Sequence, residues 1–415
     1  MNWALRLLII LTLVSSMLAA QEIPEPASKS RLALAEQTRI LILGDFQPQP
    51  RLFEELAGKK SCSRDSFVRG GADCTTLSRE IDQILETVKP DFILHTGDLT
   101  DFNNGLRFTV EDQEGNAVET IAPEFDEWEA ILGLFPKIDK LFPTVGNHEH
   151  YGELTFYGRE EAGKLTVARM GELKPLTSPQ VNALLRRKFR HLNQKATFLE
   201  DSGAYVADLG PCFILSFDGM ELKSNRHLFP FLERSLSQMV AENEVDGGRH
   251  PVKPILVLNH YPFFSGKSVE KGDEVPLRDD LITLFDSYGV HLAFNGHEHF
   301  YLRYSRDGML RAGYREPLPR KTTYITVSDL ANPYRRSFNR SLEPGTNPDH
   351  VTFSGSHYVV VTLDHDLIRA ETFGKRNDGG PWEIIDTVSI DLVRPATAKI
   401  GEFPRSSDGS HQGAR

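Results

Sequence analysis

Short, mainly apolar runs alternate with amphipathic segments along most of the chain. Runs of this length are typical of buried strands, and such strands are predicted at 39–43, 91–95, 213–217, 255–258 and 291–294. Apolar residues recur at helical spacing from Ile81 to Val88, and Pro90 ends that helix. A strand, a helix and another strand in this order are typical of a parallel α/β unit.

The remaining segments extend this prediction. Helices are predicted at 126–141, 230–240 and 277–288, and further strands at 205–207, 323–327, 358–361 and 368–372. Residues 107–121 predict a hairpin that turns at Glu114 and Gly115. Residues 153–195 are rich in charge, and we expect them to be mostly helical.

The two ends of the chain depart from this pattern. A basic residue, an apolar stretch over 7–14 and small residues over 15–20 predict a secretory signal peptide at 1–20. The alternative is an uncleaved N-terminal anchor, although the apolar stretch is short for a membrane span of about 20 residues. We therefore expect an exported protein, periplasmic or extracellular, without a stable membrane anchor after cleavage.

The rest of the chain is divided by composition. Residues 21–37 are polar and rich in Pro and Glu, and we interpret them as a linker. We assign 38–375 to one large domain, 376–394 to a C-terminal strand region of the same domain, and 395–415 to a disordered tail.

Polar side chains follow four of these predicted strands and a further apolar run at 142–145, each at the point where the strand or run ends. They are Asp45, Asp98, Asn147, His260 and the pair His297 and His299. Ligands of α/β sheets gather at the carboxyl ends of strands, so we expect these side chains to surround one cavity. Carboxylate, amide and imidazole donors together suit Mn²⁺, Zn²⁺ or Fe.

Charge and cysteine content narrow the classes of protein. The 415 residues include 47 basic and 58 acidic side chains, which gives a formal net charge of −11. This excess argues against a nucleic-acid groove, but it is compatible with a small phosphorylated substrate held by a metal. Three cysteines exclude a disulfide scaffold and a thiolate zinc site. For Cys62 and Cys74, a disulfide and two free thiols remain alternatives.

The motifs at the strand ends resemble those of the calcineurin-like metallophosphoesterases, whose order is D-x-H, G-D, G-N-H-[DE], a lone His and G-H-x-H. The corresponding segments here are 45–47, 97–98, 146–149, 257–260 and 296–299. The sequences around His260 and after His299 are most similar to the purple acid phosphatase-like branch. The resemblance implies an α/β fold of four layers, two stacked mixed sheets flanked by helices, with a two-metal site.

The resemblance also implies a role for each motif residue. Asp45, Gln47 and His299 are implied ligands of the first metal, and Asp98 bridges both metals. Asn147, His260 and His297 are implied ligands of the second metal. His148 is implied to protonate the leaving oxygen, oriented by Glu149 or another carboxylate. The implied reaction is hydrolysis of phosphate mono- or diesters by attack of a metal-bridging hydroxide.

Two positions depart from the family pattern. Gln47 replaces a metal-binding His, which predicts weaker binding of the first metal or a shift towards Mn²⁺. Asp101 stands where purple acid phosphatases have a Tyr, so we do not expect a purple Fe(III)–tyrosinate centre. The two ions are expected to be divalent or trivalent Mn, Fe or Zn.

Basic residues follow the last motif. Between 303 and 340 there are nine basic and three acidic residues. One interpretation is a solvated surface hairpin. The other is that Arg303, Arg335 or Arg336 binds substrate phosphate, with His150 as a further candidate.

Three functions remain open at this point. The first is an exported metal-dependent phosphoric ester hydrolase. The second is a Mn-dependent nucleotide pyrophosphatase or cyclic-nucleotide phosphodiesterase, which Gln47 favours. The third is an inactive metal-binding interaction module that retains the fold.

Overall fold

A computed structural model gives the fold of the chain. It describes residues 37–47, 61–68, 75–103, 105–124, 126–245, 252–264, 275–304, 322–328, 330, 350–376 and 380–392. The predicted signal peptide and C-terminal tail lie outside these residues, as do Cys74, Arg335 and Arg336. The predictions for them therefore stay predictions.

The first sheet is built around β1, whose residues from Ile40 to Leu43 are fully buried. Its strands in spatial order are β20 (Glu383–Asp391), β19 (Leu367–Lys375), β18 (Ser356–Leu363), β1 (Thr38–Leu43), β3 (Phe92–His95) and β6 (Leu141–Pro143). The last three run parallel, and β18 pairs antiparallel with β1. The buried, apolar character of β1 is typical of a parallel strand that is covered on both faces.

The second sheet has a parallel centre. Its strands in spatial order are β10 (Ala196–Phe198), β11 (Tyr205–Asp208), β12 (Phe213–Phe217), β13 (Ile255–Asn259), β14 (Leu292–Asn295), β16 (Thr323–Thr326), β15 (Tyr301–Tyr304) and β17 (His350–Phe353). Strands β12, β13, β14 and β16 run parallel. Their carboxyl ends therefore meet at one edge.

Alternation along β13 shows that the two sheets are stacked. Leu256 and Leu258 share a buried core with Ile40 of the first sheet. Val257 instead packs in a separate core with Leu281. Because successive side chains of a strand point to opposite faces, one face of the second sheet meets the first sheet and the other meets helices.

Helices complete the four layers. They are α1 (Arg64–Val68), α2 (Thr75–Val88), α3 (Glu127–Gly133), α4 (Ser178–Lys188), α5 (Leu192–Lys195), α6 (Leu228–Val245) and α7 (Arg278–Tyr288), with 3₁₀ turns at Ile138–Lys140, His148–His150 and Gly219–Lys223. Helix α2 contributes to the core of the first sheet, and α6 and α7 cover the outer face of the second. The predicted four-layer α/β fold is confirmed. Within the described residues, no helix combines the length and apolarity that a membrane crossing requires.

A third sheet, which we call the insert sheet, takes one strand from before the Asp98 motif, two from between the Asp98 and Asn147 motifs, and the rest from after Asn147. Its strands in order are β2 (Ser61–Ser63), β8 (Lys164–Met170), β7 (Tyr151–Glu161), β4 (Leu106–Glu111) and β5 (Ala117–Ile121), and β9 (Lys174–Pro175) also pairs with β7. The predicted hairpin at 107–121 is confirmed as β4 and β5.

The prediction that 153–195 is mostly helical is wrong for its first half. Residues of β7 alternate between partly exposed and buried positions, so Leu154 and Phe156 face the insert core while Thr155 does not. Two of the buried positions are Gly152 and Gly158, which add nothing to an apolar stripe. The period of two was therefore masked by charge and glycine.

Candidate metal centre and active site

The predicted ligands all follow the parallel strands at one edge of the two sheets. Asp45 follows β1, Asp98 follows β3 and Asn147 follows β6, while His260 follows β13 and His297 follows β14. Five of the ten non-glycine residues with positive φ in the described chain are predicted ligands: Asp45, Gln47, Asp98, His297 and His299. Such backbone strain clusters at functional sites.

Asp98 lies at the centre of the site and is 1% exposed. Its Oδ1 accepts a hydrogen bond from the His148 amide at 2.9 Å, and its Oδ2 accepts one from Gln47 Nε2 at 3.1 Å. His260 Nε2 is 3.1 Å from the same Oδ2. Burial by itself raises the pKa of Asp98, but the charges of His260 and His148 outweigh burial and hold the pKa well below its usual range.

A second group of donors surrounds Asn147 Oδ1. That oxygen is 3.0 Å from His260 Nε2 and 2.9 Å from His297 Nδ1. The two imidazole nitrogens are 3.3 Å apart. One atom each from Asp98, His260 and His297 lies within 4.8 Å of the others.

The hydrogen bonds of His260 indicate either a second proton on this ring or a bound cation. Its Nδ1 is 2.8 Å from the Thr96 carbonyl oxygen, an acceptor, so Nδ1 carries a proton. In the neutral ring Nε2 then presents a lone pair to the oxygens of Asp98 and Asn147. Such a contact between acceptors requires a positive charge, from a second proton or from a metal ion. A carbonyl partner on the outer nitrogen is the usual support of a metal-binding histidine.

Asp45 and His299 form the other side of the site. Asp45 is fully buried and accepts a hydrogen bond from the His297 amide at 2.8 Å. His299 Nε2 is 3.8 Å from Asp45 Oδ2. Together with Gln47 and Asp98, these residues offer oxygen and nitrogen donors and no thiolate. The donor set therefore fits Mn, Fe or Zn.

Glycines of the motifs leave room for this packing. A Cβ on Gly146 would lie 2.2 Å from Asp98 Oδ1, which is closer than any real contact. Gly97 has a φ of +96°, and a Cβ there would lie 2.8 Å from His260 Nδ1. Side chains at either position would displace a ligand.

His148 stands beside the donors, with its side chain 20% exposed. Its Nδ1 is 2.8 Å from Asp101 Oδ1 and 3.0 Å from the Asp101 carbonyl oxygen, so Nδ1 donates to Asp101. Its Nε2 is 3.9 Å from Asp98 Oδ2. Burial lowers the pKa of His148, but the charges of Asp98 and Asp101 outweigh burial and raise it to about 10.

The Glu149 carboxylate binds backbone amides, whereas His148 Nδ1 is paired with Asp101. Its buried carboxylate accepts hydrogen bonds from the amides of Gly146, Asp98 and Thr100 at 2.7, 2.9 and 3.1 Å. Glu149 therefore fixes the two ligand loops against each other. Of the two alternatives for orienting the imidazole, the geometry selects another carboxylate, Asp101.

Three further residues support this arrangement and were not singled out from the sequence. Buried Glu127 accepts hydrogen bonds from the amides of Asp101 and Phe102. Asn103 Nδ2 donates to the carbonyl oxygens of Glu149 and Tyr151. Trp128 Nε1 donates to Asn103 Oδ1 at 3.0 Å. These contacts join residues that are distant in sequence, so no local pattern predicts them. Within this group only Asp101 had been noted from the sequence, through its spacing from Asp98.

The predicted substrate-binding residues in the described chain have other partners. His150 is 7% exposed, with Nε2 2.5 Å from Asp218 Oδ2 and Nδ1 3.2 Å from the Leu176 carbonyl oxygen. Arg303 binds Asp386 through Nε at 2.5 Å and a terminal nitrogen at 3.1 Å. Both side chains thus serve internal contacts, and the structure does not place them as substrate ligands.

Comparison with known proteins identifies the class to which this fold and site belong. The profile of the calcineurin-like phosphoesterases matches residues 38–301. Because the match covers more than half of the chain, the chain belongs to that family. The family inferred from the motifs is confirmed, and membership implies divalent metal ions.

Individual relatives match with low identity. The chain is 29% identical over 143 residues to a phosphoenolpyruvate phosphatase from onion (Allium cepa), which covers 32% of this chain and 29% of that protein. The fold of this chain is similar to that of a purple acid phosphatase from yellow lupin (Lupinus luteus) seeds. The TM-score is 0.50 at 16% identity, and the match covers 86% of this chain and 54% of that chain. A dimetal phosphatase from Danio rerio matches with a TM-score of 0.43 and 12% identity, over 86% of this chain and 99% of that chain. The chain therefore spans less than two thirds of the onion and lupin proteins.

Proposed function

We propose that this chain is an exported dinuclear-metal phosphoesterase that hydrolyses phosphate mono- or diesters. The observation that carries the proposal is the meeting of seven nitrogen and oxygen donor side chains at one sheet edge, beside His148. The first ion is assigned to Asp45, Gln47, Asp98 and His299, and the second to Asp98, Asn147, His260 and His297. Two bound cations supply an activated water and offset charge on the phosphoryl oxygens.

The protein's own residues then perform two tasks. Asp98 Oδ1 accepts a hydrogen bond from the His148 amide at 2.9 Å, which fixes the backbone of the acid relative to the shared ligand. His148 Nδ1 donates a hydrogen bond to Asp101 Oδ1 at 2.8 Å, so the imidazole is oriented with Nε2 towards the site. Nε2 donates its proton to the leaving oxygen, which avoids expulsion of a bare alkoxide.

Metal removal and restoration tests this proposal. The purified protein is treated with a chelator, then titrated with Mn²⁺, Fe²⁺ or Zn²⁺ and assayed on a monoester, a diester and a pyrophosphate. We expect hydrolysis of esters to disappear on chelation and to return as two ions bind per chain. Ester hydrolysis that persists at full rate without metal contradicts the proposal.

The same screen separates the alternatives. Turnover that is confined to pyrophosphate bonds or cyclic nucleotides, and that requires Mn²⁺, favours the second enzyme class that Gln47 suggested. Metal binding without turnover on any substrate favours an interaction module.

The acid role is tested with His148→Ala. We expect kcat to fall by about 10²- to 10⁴-fold, which is the usual contribution of a general acid. Metal content, measured on the same sample, is expected to stay at the wild-type level because His148 is not assigned as a ligand. Unchanged kcat with full metal content refutes the assignment.

Export is tested by N-terminal sequencing of protein recovered outside the cytoplasm. The proposal predicts a mature chain that begins near Gln21. Recovery of exported protein with Met1 intact refutes cleavage.

A further inference from the structure

Two tyrosines stand beside the partly exposed histidines of the site. Most predicted ligands are buried, but the ligand His297 and the neighbouring His148, which is not a ligand, are partly exposed. The Tyr151 ring centroid is 4.5 Å from that of His148, and the Tyr261 centroid is 4.8 Å from that of His297. Both tyrosines are themselves partly exposed. A molecule that reaches the donors from the open side therefore meets aromatic surface.

The Tyr151 hydroxyl group contacts a predicted ligand. Asn147 Nδ2 donates to the Tyr151 hydroxyl oxygen at 3.2 Å. This bond turns the amide so that Oδ1 faces His260 and His297. The hydroxyl group thus has a positioning role towards the second metal.

The Tyr151 ring is fixed in place by its neighbours. Asn103 Nδ2 donates to the Tyr151 carbonyl oxygen at 3.2 Å. The Phe102 ring lies 5.9 Å away on the insert side. Because Phe102 lies in the loop that carries Asp98, and Tyr151 begins β7 directly after the loop that carries Asn147, the ring keeps its position relative to the donors. A prearranged ring binds a ligand with little loss of side-chain entropy.

Because the Tyr151 ring lies beside His148, it lies close to the part of the substrate that His148 protonates. His148 protonates the oxygen that leaves, so the organic group on that oxygen lies next to the imidazole. The Tyr151 ring is tilted 54° to the imidazole at 4.5 Å. An organic group beside the imidazole therefore lies within reach of the Tyr151 ring, and aromatic rings attract each other at centroid separations of about 4.5–7 Å.

We propose that Tyr151 selects the leaving group and favours phosphate esters whose alcohol carries an aromatic ring. This inference rests on the proposed function, in particular on His148 as the acid. Aromatic pairs contribute about 0.5–1.5 kcal/mol beyond buried area, so the expected preference in kcat/KM is about 2- to 12-fold.

The test compares benzyl phosphate with cyclohexylmethyl phosphate. Both are esters of primary alcohols of similar size, and they differ in aromaticity, so the demand on the acid is closely matched. The wild type is expected to prefer the benzyl ester by at least about twofold. Tyr151→Leu is expected to abolish that preference, and Tyr151→Phe to keep it.

The hydroxyl role has its own readout. Calorimetric titration with Mn²⁺ is expected to show weaker binding of one ion in both Tyr151→Phe and Tyr151→Leu, because both lose the bond to Asn147. Tyr157→Leu is the matched control, since Tyr157 lies on the same strand, is partly exposed and is covered by Arg169 at 3.8 Å. It is expected to change neither the preference nor metal binding.

Each outcome bears on a defined claim. Equal loss on both esters in Tyr151→Leu, or no benzyl preference in the wild type, overturns the selective role of the ring. The wild-type comparison remains decisive if the leucine variant does not fold. Wild-type protein that binds metal but hydrolyses no phosphate monoester or diester overturns the proposed function itself, which is a distinguishable failure.

Discussion

In the proposed mechanism, Asp101 is the residue on which the acid chemistry depends most directly after His148. It contacts the imidazole through both its carboxylate and its carbonyl oxygen. In Asp101→Asn the negative charge is lost, so the imidazolium is less stable and the acid is oriented less firmly.

We expect Asp101→Asn to lower kcat by about 10- to 100-fold on alkyl phosphates, which is part of the full effect of a general acid. On p-nitrophenyl phosphate the loss should be much smaller, because that leaving group needs little protonation. The readout is the ratio of the two kcat values for wild type and variant. An identical loss on both substrates shows that Asp101 acts on something other than proton transfer.

His150 gives a prediction about pH and stability. Burial lowers the pKa of His150, but the hydrogen bond and charge of Asp218 outweigh burial and raise the pKa to about 9. The folded protein therefore holds this proton more tightly than the unfolded chain. The resulting stabilisation is fully present below the ordinary pKa of about 6.5 and is lost as the pH rises through about 9.

His150→Gln should therefore lose most stability at pH 6 and little above pH 9. The measurement is the free energy of unfolding in urea at several pH values, for wild type and variant. Between those limits the difference should shrink by at most about 1.4 kcal/mol per pH unit. His365→Gln, at a side chain that is 64% exposed, is the control and should alter stability little. Parallel curves for wild type and His150→Gln are the contrary result.

At the scale of elements, the C-terminal strand β20 is joined to the second sheet by a buried ion pair. Asp386 on β20 binds Arg303 on β15, and their side chains are 8% and 12% exposed. The Tyr301 hydroxyl group donates to the same carboxylate at 2.7 Å. Strand β20 pairs with β19 in the first sheet, so this cluster links the two sheets.

Asp386→Ala leaves the buried charge of Arg303 unpaired and should lower the free energy of unfolding by about 3–5 kcal/mol. The double variant Arg303→Met with Asp386→Leu should recover most of that loss, because no charge remains buried. Lys174→Ala breaks an ion pair with Glu153, and the two side chains are 71% and 37% exposed. This change should lower the free energy of unfolding by less than about 1 kcal/mol. Denaturant titration measures all three. A small loss in Asp386→Ala shows that the pair does not hold the sheets.

What the sequence could predict depended on how local each signal was. Strand ends such as Asp45 and Asp98 were found because an apolar run and its polar tip are neighbours in the chain. Strand β7 was missed because glycine and charge conceal its period of two. The link between Arg303 and Asp386 joins residues 83 positions apart, and no local pattern reports such a contact.

At the scale of the whole molecule, the fold brings distant segments to one candidate metal centre. Asp45 and His297 come from opposite ends of the matched family region, and the His297 amide donates to Asp45 Oδ2 at 2.8 Å. Metal ions that bind this centre in the folded state stabilise the entire chain, since the donors separate on unfolding.

We therefore expect chelation to lower the melting temperature and saturating Mn²⁺ or Zn²⁺ to restore it. At a metal concentration of 100 times the dissociation constant, one site contributes about 2.7 kcal/mol. Asp98→Asn, which weakens the ligand assigned to both ions, should lose most of this gain. Differential scanning calorimetry with and without metal makes the comparison. A melting temperature that does not respond to metal in the wild type speaks against a built centre.

Metal stoichiometry measured together with turnover tests the central claim most directly. The chelated chain is titrated with metal in a calorimeter, and ester hydrolysis is assayed at each point. We predict two ions per chain and hydrolysis that rises with occupancy of the second. Full hydrolysis with no bound metal, or two bound ions with no hydrolysis of any phosphate ester, would contradict it.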